Sequence, residues 1–218
     1  MGGVVKLNVE VGGCGGRGVG VRIGVMLTVV FDVETKKSFD EVGGYHPERL
    51  GVSVSGVWWG EDGSEGEYKA FKEKEFPEMF RLFERADRIV GFNSIGFDMP
   101  VLSPYYAGNL LSLPNLDIMV EIEKVVGHRI SLDAVAKETL GEQKIGHGLD
   151  AIEYYHAGDW ESLERYCLQD VKVTKELYDY GRNHGVLRFK NRWNELVEVK
   201  VDFSLPEKSE KKVQTTLF

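Results

Sequence analysis

The sequence predicts an α/β domain in which a mixed sheet carries packed helices. Three features carry this reading: three short apolar strands separated by turns, an amphipathic helix and a fourth strand directly after them, and a mostly helical second half. Leu27–Phe31 is an apolar run bounded by Asp32 and Glu34, the pattern of a buried strand. Val52 and Val54 alternate with Ser53 and Ser55 before Val57-Trp58-Trp59, giving a second strand. Glu61-Asp62-Gly63 is a turn signal, and Tyr68–Phe71 follows as a third strand. Short turns between the three indicate an antiparallel meander. Phe76–Ala86 is a helix with Phe76, Met79, Phe80 and Phe83 on one face, and Arg88–Phe92 is the next strand. From Asp98 on, most of the chain reads as helical. Ser131 caps a helix that ends at Leu140 before Gly141, and Asp159 caps a long helix ending near Gly181. Val186–Phe203 alternates loosely, as a final hairpin would.

The 218 residues suit one domain with appendages. Hydrophobic residues at 42% and charged residues at 28% are enough for one core. The net charge of −8 excludes a protein that coats nucleic acid by charge alone, but not a nuclease whose metal site is itself built from carboxylates. No apolar run is long enough to span a membrane. Two cysteines, Cys14 and Cys167, give no disulfide framework, and a reducing, cytoplasmic setting is expected.

Residues 1–25 differ from the rest. Nine are Gly and seven are Val. Gly at that density costs too much backbone entropy to fold alone, so a disordered arm, or a leader before a true start at Met26, is expected. Residues 204–218 are polar and lysine-rich until the last two positions, the composition of a flexible tail. The domain itself is then 26–203.

Acidic residues occur in three settings. Asp32 and Glu34 are i and i+2 of a strand and so share a face. They are either two solvated acids at a strand end or a pair with a cation between them. Asp98 closes Asn93-Ser94-Ile95-Gly96-Phe97-Asp98, directly after a strand. Asn93 and Gly96 suit a turn there, and Asp98 is either the N-cap of the next helix or a functional acid. Tyr166 and Asp170 are four apart on the long helix, beside an apolar stripe of Leu163, Cys167, Val171, Thr174 and Tyr178. They are either an exposed hydrogen-bonded pair or a buried acid with a partner.

An Asp-x-Glu on the first strand, an Asn-x-x-x-Phe-Asp after a strand-to-helix turn and a late helical Tyr-x-x-x-Asp, in this order, resemble the three motifs of the DEDDy branch of 3′–5′ exonucleases. That branch has a ribonuclease H-like fold and includes the proofreading domains of family B DNA polymerases. The resemblance covers roughly 26–185. Ser131-Leu132-Asp133-Ala134-Val135-Ala136, Thr139-Leu140-Gly141 and Lys144 before Gly148 are similar to stand-alone bacterial and archaeal members. The sister branch has His five residues before the last Asp; here that residue is Arg165, which stays charged and cannot act as a base.

The resemblance implies a metal-dependent 3′–5′ exonuclease acting on single-stranded 3′ ends of DNA, with RNA as an alternative substrate and a non-catalytic nucleic-acid adaptor as an alternative function. Oxygen donors suit two hard ions, Mg²⁺ or Mn²⁺, about 4 Å apart. By the same resemblance Asp32 touches both ions, Glu34 and Asp170 hold the first with the attacking water, Asp98 supports the second, and Tyr166 orients the water. Thr35, Asn93, Phe97 and Lys144 are expected at the substrate, with His147 nearby. Phe39, Tyr45, Tyr105 and Tyr106 are candidate base platforms, and Lys36 and Lys37 candidate phosphate contacts. Each of the four aromatics is more often a packing or surface residue, and a solvated loop is at least as good a reading of the two lysines. His46, His128, His156 and His184 are read as surface or core residues. The end of the chain, Gln214-Thr215-Thr216-Leu217-Phe218, resembles the short peptide by which replication proteins bind a sliding clamp; Gln214, Leu217 and Phe218 would make that contact.

Overall fold

The structure, a computed structural model, describes residues 26–61, 63–141 and 148–204. The leader 1–25, Lys144, His147, Gln214, Leu217 and Phe218 lie outside the described residues. Seven strands and six α-helices follow one another as β1 (Leu27–Thr35), β2 (Val52–Glu61), β3 (Glu67–Phe71), α1 (Phe76–Arg85), β4 (Arg88–Gly91), α2 (Asp98–Leu102), β5 (Asn115–Asp117), α3 (Ile118–Val126), α4 (Leu132–Leu140), α5 (Gly148–Ala157), α6 (Trp160–His184), β6 (Val186–Lys190) and β7 (Leu196–Lys200).

The main sheet has the order β3-β2-β1-β4-β5. β1, β2 and β3 form the expected antiparallel meander, while β4 joins β1 and β5 joins β4 in parallel. This is the ribonuclease H-like mixed sheet. Its two faces are buried by different helices. Val29, Phe31 and Val33 point to the face covered by Phe76, Met79, Phe80 and Phe83 of α1. Val30 points the other way, to Val171 and Leu177 of α6 and to Ile118, Ile122, Val135 and Ala136 of α3 and α4. Strand alternation then sends Asp32 and Glu34 to the α6 face.

The first strand runs past Phe31 to Thr35, as its Asp-x-Glu requires, with Asp32, Val33 and Glu34 paired to Gly56, Ser55 and Val54 of the neighbouring strand. Other expectations change in detail. Most of the chain from Asp98 is helical as expected, but the three-residue β5 after Pro114 also extends the sheet, too short to show a periodicity. The long helix ends at His184 with Gly185 as its left-handed C-cap, not near Gly181. Gly181 lies inside the helix, where a Cβ would sit 2.4 Å from Phe203. Ser131 and Asp159 cap as expected, accepting from the backbone N–H groups of Ala134 and Ser162. No described helix is long and apolar enough to cross a membrane.

One close approach fixes α6 against the sheet. Gly56, opposite Asp32, has no side chain, and a Cβ there would meet Val171 at 2.9 Å, Cys167 Sγ at 3.0 Å and the Cys167 carbonyl at 3.2 Å. Gly56→Ala forces a backbone-to-backbone adjustment, so it should cost about 1–3 kcal/mol. Urea unfolding measures this, and an unchanged midpoint would show that α6 is not held by that contact.

Candidate active site

Three elements bring acids to one end of the sheet. β1 supplies Asp32 and Glu34, the turn after β4 supplies Asp98, and α6 supplies Tyr166 and Asp170. Asp32 is half-buried and Glu34 only 8% exposed. They are not solvated acids at a strand end. The β1–β2 register shifts between Glu34 and Thr35, a bulge-like irregularity of the kind that often borders a site.

Asp98 does not cap the helix it precedes. Phe97 is the N-cap residue, and Asp98 is the first helical residue, 3% exposed. Its carboxylate accepts its own backbone N–H and that of Val33. Burial pushes its pKa well up, and the neighbouring Asp32 pushes it further. Asp117 adds to the repulsion.

Tyr166 and Asp170 are each 7% exposed, so they are not an exposed surface pair. Between them lies Cys167, fully buried over Gly56, whose N–H points at Sγ at 3.0 Å. Cys167 Sγ is 3.8 Å from Asp32 Oδ2, and ligand atoms of Asp32, Glu34 and Cys167 all lie within 4.8 Å of one another. Burial pushes the thiol pKa well up, and Asp32, Glu34 and Asp170 push the same way. Without a cation the thiol holds its proton, and the carboxylate oxygens of Asp32, Glu34 and Asp170 surround it. Asp32 is thus the hub: it acts on Asp98 on one side and, with Glu34 and Asp170, on Cys167 on the other. A small cleft lined by Tyr154, Ser162, Arg165, Tyr166 and Gln169 opens beside Tyr166.

Asp117 escaped the sequence reading. It is 1% exposed at the end of β5, and its two oxygens accept from the backbone of Asn93 (2.8 Å), Ile95 (2.9 Å), Met119 (3.0 Å) and Val120 (3.3 Å). One carboxylate thus caps α3 and also shapes the turn that delivers Asp98. The available signal was an Asp directly before an apolar helix. Cys167 was read only as part of the packing stripe.

The other expected contacts divide. Asn93 takes the left-handed position of the turn (φ 63°), and its side-chain oxygen accepts from Arg129. Phe97 meets Phe39 edge-on at 6.0 Å, Phe39 stacks on Tyr45 at 4.8 Å, and the Tyr45 hydroxyl donates to the Gly96 carbonyl at 2.5 Å. These three rings gather beside the Asp98 turn. Tyr105 and Tyr106, both half-buried, instead pack on Phe76 and Phe80 of α1. Thr35 donates its hydroxyl to the Lys37 carbonyl at 2.9 Å, Lys36 is tied to Glu73 at 2.8 Å, and Lys37 is exposed. His46 is half-buried; His128, His156 and His184 are exposed.

The sequence model of the RNase H superfamily matches residues 29–181, so the chain belongs to that superfamily. Among solved structures it is similar to the family B DNA polymerase of Pyrobaculum calidifontis, at 24% identity and a TM-score of 0.52 over 72% of this chain. The match spans 24% of the polymerase, about a quarter of its length. Exonuclease I of E. coli, in complex with a 5cy-dT13 oligonucleotide, matches at 13% identity and a TM-score of 0.45, over 73% of this chain and 41% of that one. No curated protein matches the chain.

The raised pKa of Asp98 sets a sign for stability. The folded, metal-free protein holds this proton more tightly than the unfolded chain does. The contribution is complete below the ordinary carboxylate pKa and is lost as pH rises through the raised one. Thermal melts in chelator from about pH 4 to about pH 8 should show Asp98→Asn gaining on the wild type as pH rises. Parallel curves would remove Asp98 from this electrostatic cluster.

Proposed function

We propose that this member of the RNase H superfamily is a metal-dependent 3′–5′ exonuclease that hydrolyses the terminal phosphodiester of single-stranded DNA. The observation that carries the proposal is the buried Asp98 facing Asp32, with Glu34 and Asp170 around the same Cys167. Like charges in so dry a place repel each other and are costly to ionise, and a divalent cation relieves both penalties. Four carboxylates as oxygen donors fit Mg²⁺ or Mn²⁺ better than a soft metal. Membership of the superfamily and the order of the three motifs support the same reading.

Asp32, Glu34, Asp98 and Asp170 would hold two such ions. Once bound, the ions supply a water of lowered pKa and neutralise charge on the displaced oxygen. The protein's own side chains do the positioning. Tyr166 directs its phenol at the attacking water as an orienting group; a phenol with pKa near ~10 is a poor base at neutral pH. Asn93 and Phe97, with Phe39 and Tyr45 beside them, meet the terminal nucleotide, and Thr35 and Lys144 complete the substrate contacts. The clamp-like tail favours DNA over RNA and a place in repair or replication. Retention of every acid and of Tyr166 speaks against a non-catalytic adaptor.

The test is a 5′-labelled single strand with Mg²⁺ or Mn²⁺, DNA beside RNA. A ladder shortening from the 3′ end of DNA is expected. Faster RNA degradation would replace the DNA reading, and no cleavage of either would end the proposal. In the same assay Asp32→Ala and Asp170→Ala should abolish hydrolysis while the fold persists, and Tyr166→Phe should slow it roughly 10²-fold. Full activity in an Asp variant would refute its metal role. Deleting 214–218 should abolish capture on an immobilised sliding clamp and leave the ladder intact; equal capture would dismiss the clamp contact.

A further inference from the structure

A second surface lies outside the acidic site. The β6–β7 hairpin and the 128–130 loop between α3 and α4 enclose a groove of about 530 Å³, lined among others by His128, Phe189, Lys190, Arg192 and Trp193. Its volume is within the range of sites that take small organic ligands.

The hairpin tip is built to present Trp193. Asn191 Oδ1 accepts from the backbone N–H groups of Trp193 and Glu195, both at 3.0 Å, and Asn191 Nδ2 donates to Glu195 at 2.9 Å. Asn194 takes the left-handed conformation that the tight tip needs (φ 61°). These bonds fix the tip without using the Trp193 side chain, which stays 65% exposed. An indole held in water by an ordered turn gives the fold nothing.

The charge of the groove is opposite to that of the chain. The Arg192 guanidinium lies 4.1 Å over one face of the Trp193 ring, which leaves the other face for a ligand. Among the described residues Arg192 and Arg129 have no carboxylate partner, while Lys190 is paired with Glu138 at 3.5 Å. Arg129 also connects the groove to the acidic site. It adjoins His128 on the groove wall and donates to Asn93, the first residue of the turn that delivers Asp98.

We propose that this groove binds single-stranded nucleic acid upstream of the 3′ end, with a phosphate against Arg192 and a base stacked on the open face of Trp193. The inference rests on the exonuclease reading above and adds a place for the part of the strand that the acids do not touch. An aromatic plane beside a guanidinium that has no carboxylate partner among the described residues is suited to a strand, which alternates flat bases with anions.

The test compares wild type with the Arg192→Ala/Trp193→Ala double variant, both full-length. Two substrates are used, a DNA trinucleotide and a strand of about 20 nucleotides. Both substituted side chains are exposed, and matched thermal melts establish that the variant is folded. The variant should turn over the trinucleotide as the wild type does. Its KM for the long strand should rise about 5- to 100-fold with kcat unchanged. The slope of log affinity against log salt should fall by about one for the lost guanidinium. Equal KM values on the long strand would overturn the groove. If the wild type cleaves neither substrate, the exonuclease reading fails by itself. Fluorescence anisotropy of the labelled long strand in chelator then decides the groove: weaker binding by the variant upholds it, and equal binding overturns it.

Discussion

Like charge packed into a dry pocket is the constraint on which the architecture turns. Asp98 is almost wholly removed from water, and the charged groups acting on it most strongly, Asp32 and Asp117, are themselves carboxylates. A fold accepts such a cluster only when something other than stability retains it. Backbone N–H groups reduce the cost without neutralising it. Backbone N–H groups of Val33 and of Asp98 itself bond to the Asp98 carboxylate, and four more satisfy Asp117. The arrangement fixes the Asp98 and Asp117 carboxylates in place without neutralising them.

The sheet makes this possible through its mixed order. Because β1 is central, with β2 antiparallel on one side and β4 parallel on the other, its end meets both the turn after β4 and the helix α6 that crosses the meander. Gly56 lets α6 come close enough for Cys167 to lie over the strand and for Tyr166 and Asp170 to reach its end. Parallel pairing of β4 with β5 then places Asp117 under the Asp98 turn. Residues distant in sequence converge because each ends or follows an element fixed by a hydrophobic core on its other face.

Much of this was readable before any coordinates, for physical reasons. Period-two alternation is rigid, so Asp32 and Glu34 had to share a face. The meander was read from short turns, yet only β2 and β3 are joined by one; residues 36–51, with the turn Pro47–Arg49, separate β1 from β2. Cap residues such as Ser131, Asp159 and Gly141 act locally and marked the boundaries well. What failed was non-local. β5 is three residues long, and its existence depends on pairing with β4. Whether Asp98 caps a helix or enters a pocket depends on the depth of the turn, which Asp117 sets from another strand. Whether a tyrosine is a platform or a packing residue depends on where α1 lies: Tyr45 stays exposed beside the Asp98 turn, whereas Tyr105 and Tyr106 are taken up by α1. The β6–β7 tip carried no motif, and its groove exists only once the hairpin folds beside the 128–130 loop.

The most direct check on the acidic pocket is anomalous diffraction from crystals soaked in Mn²⁺. The account predicts manganese peaks ligated by carboxylate oxygens of Asp32, Glu34, Asp98 and Asp170, with Cys167 sulfur outside the coordination sphere. Manganese bound elsewhere, or a pocket left without a peak at saturating metal, would contradict it.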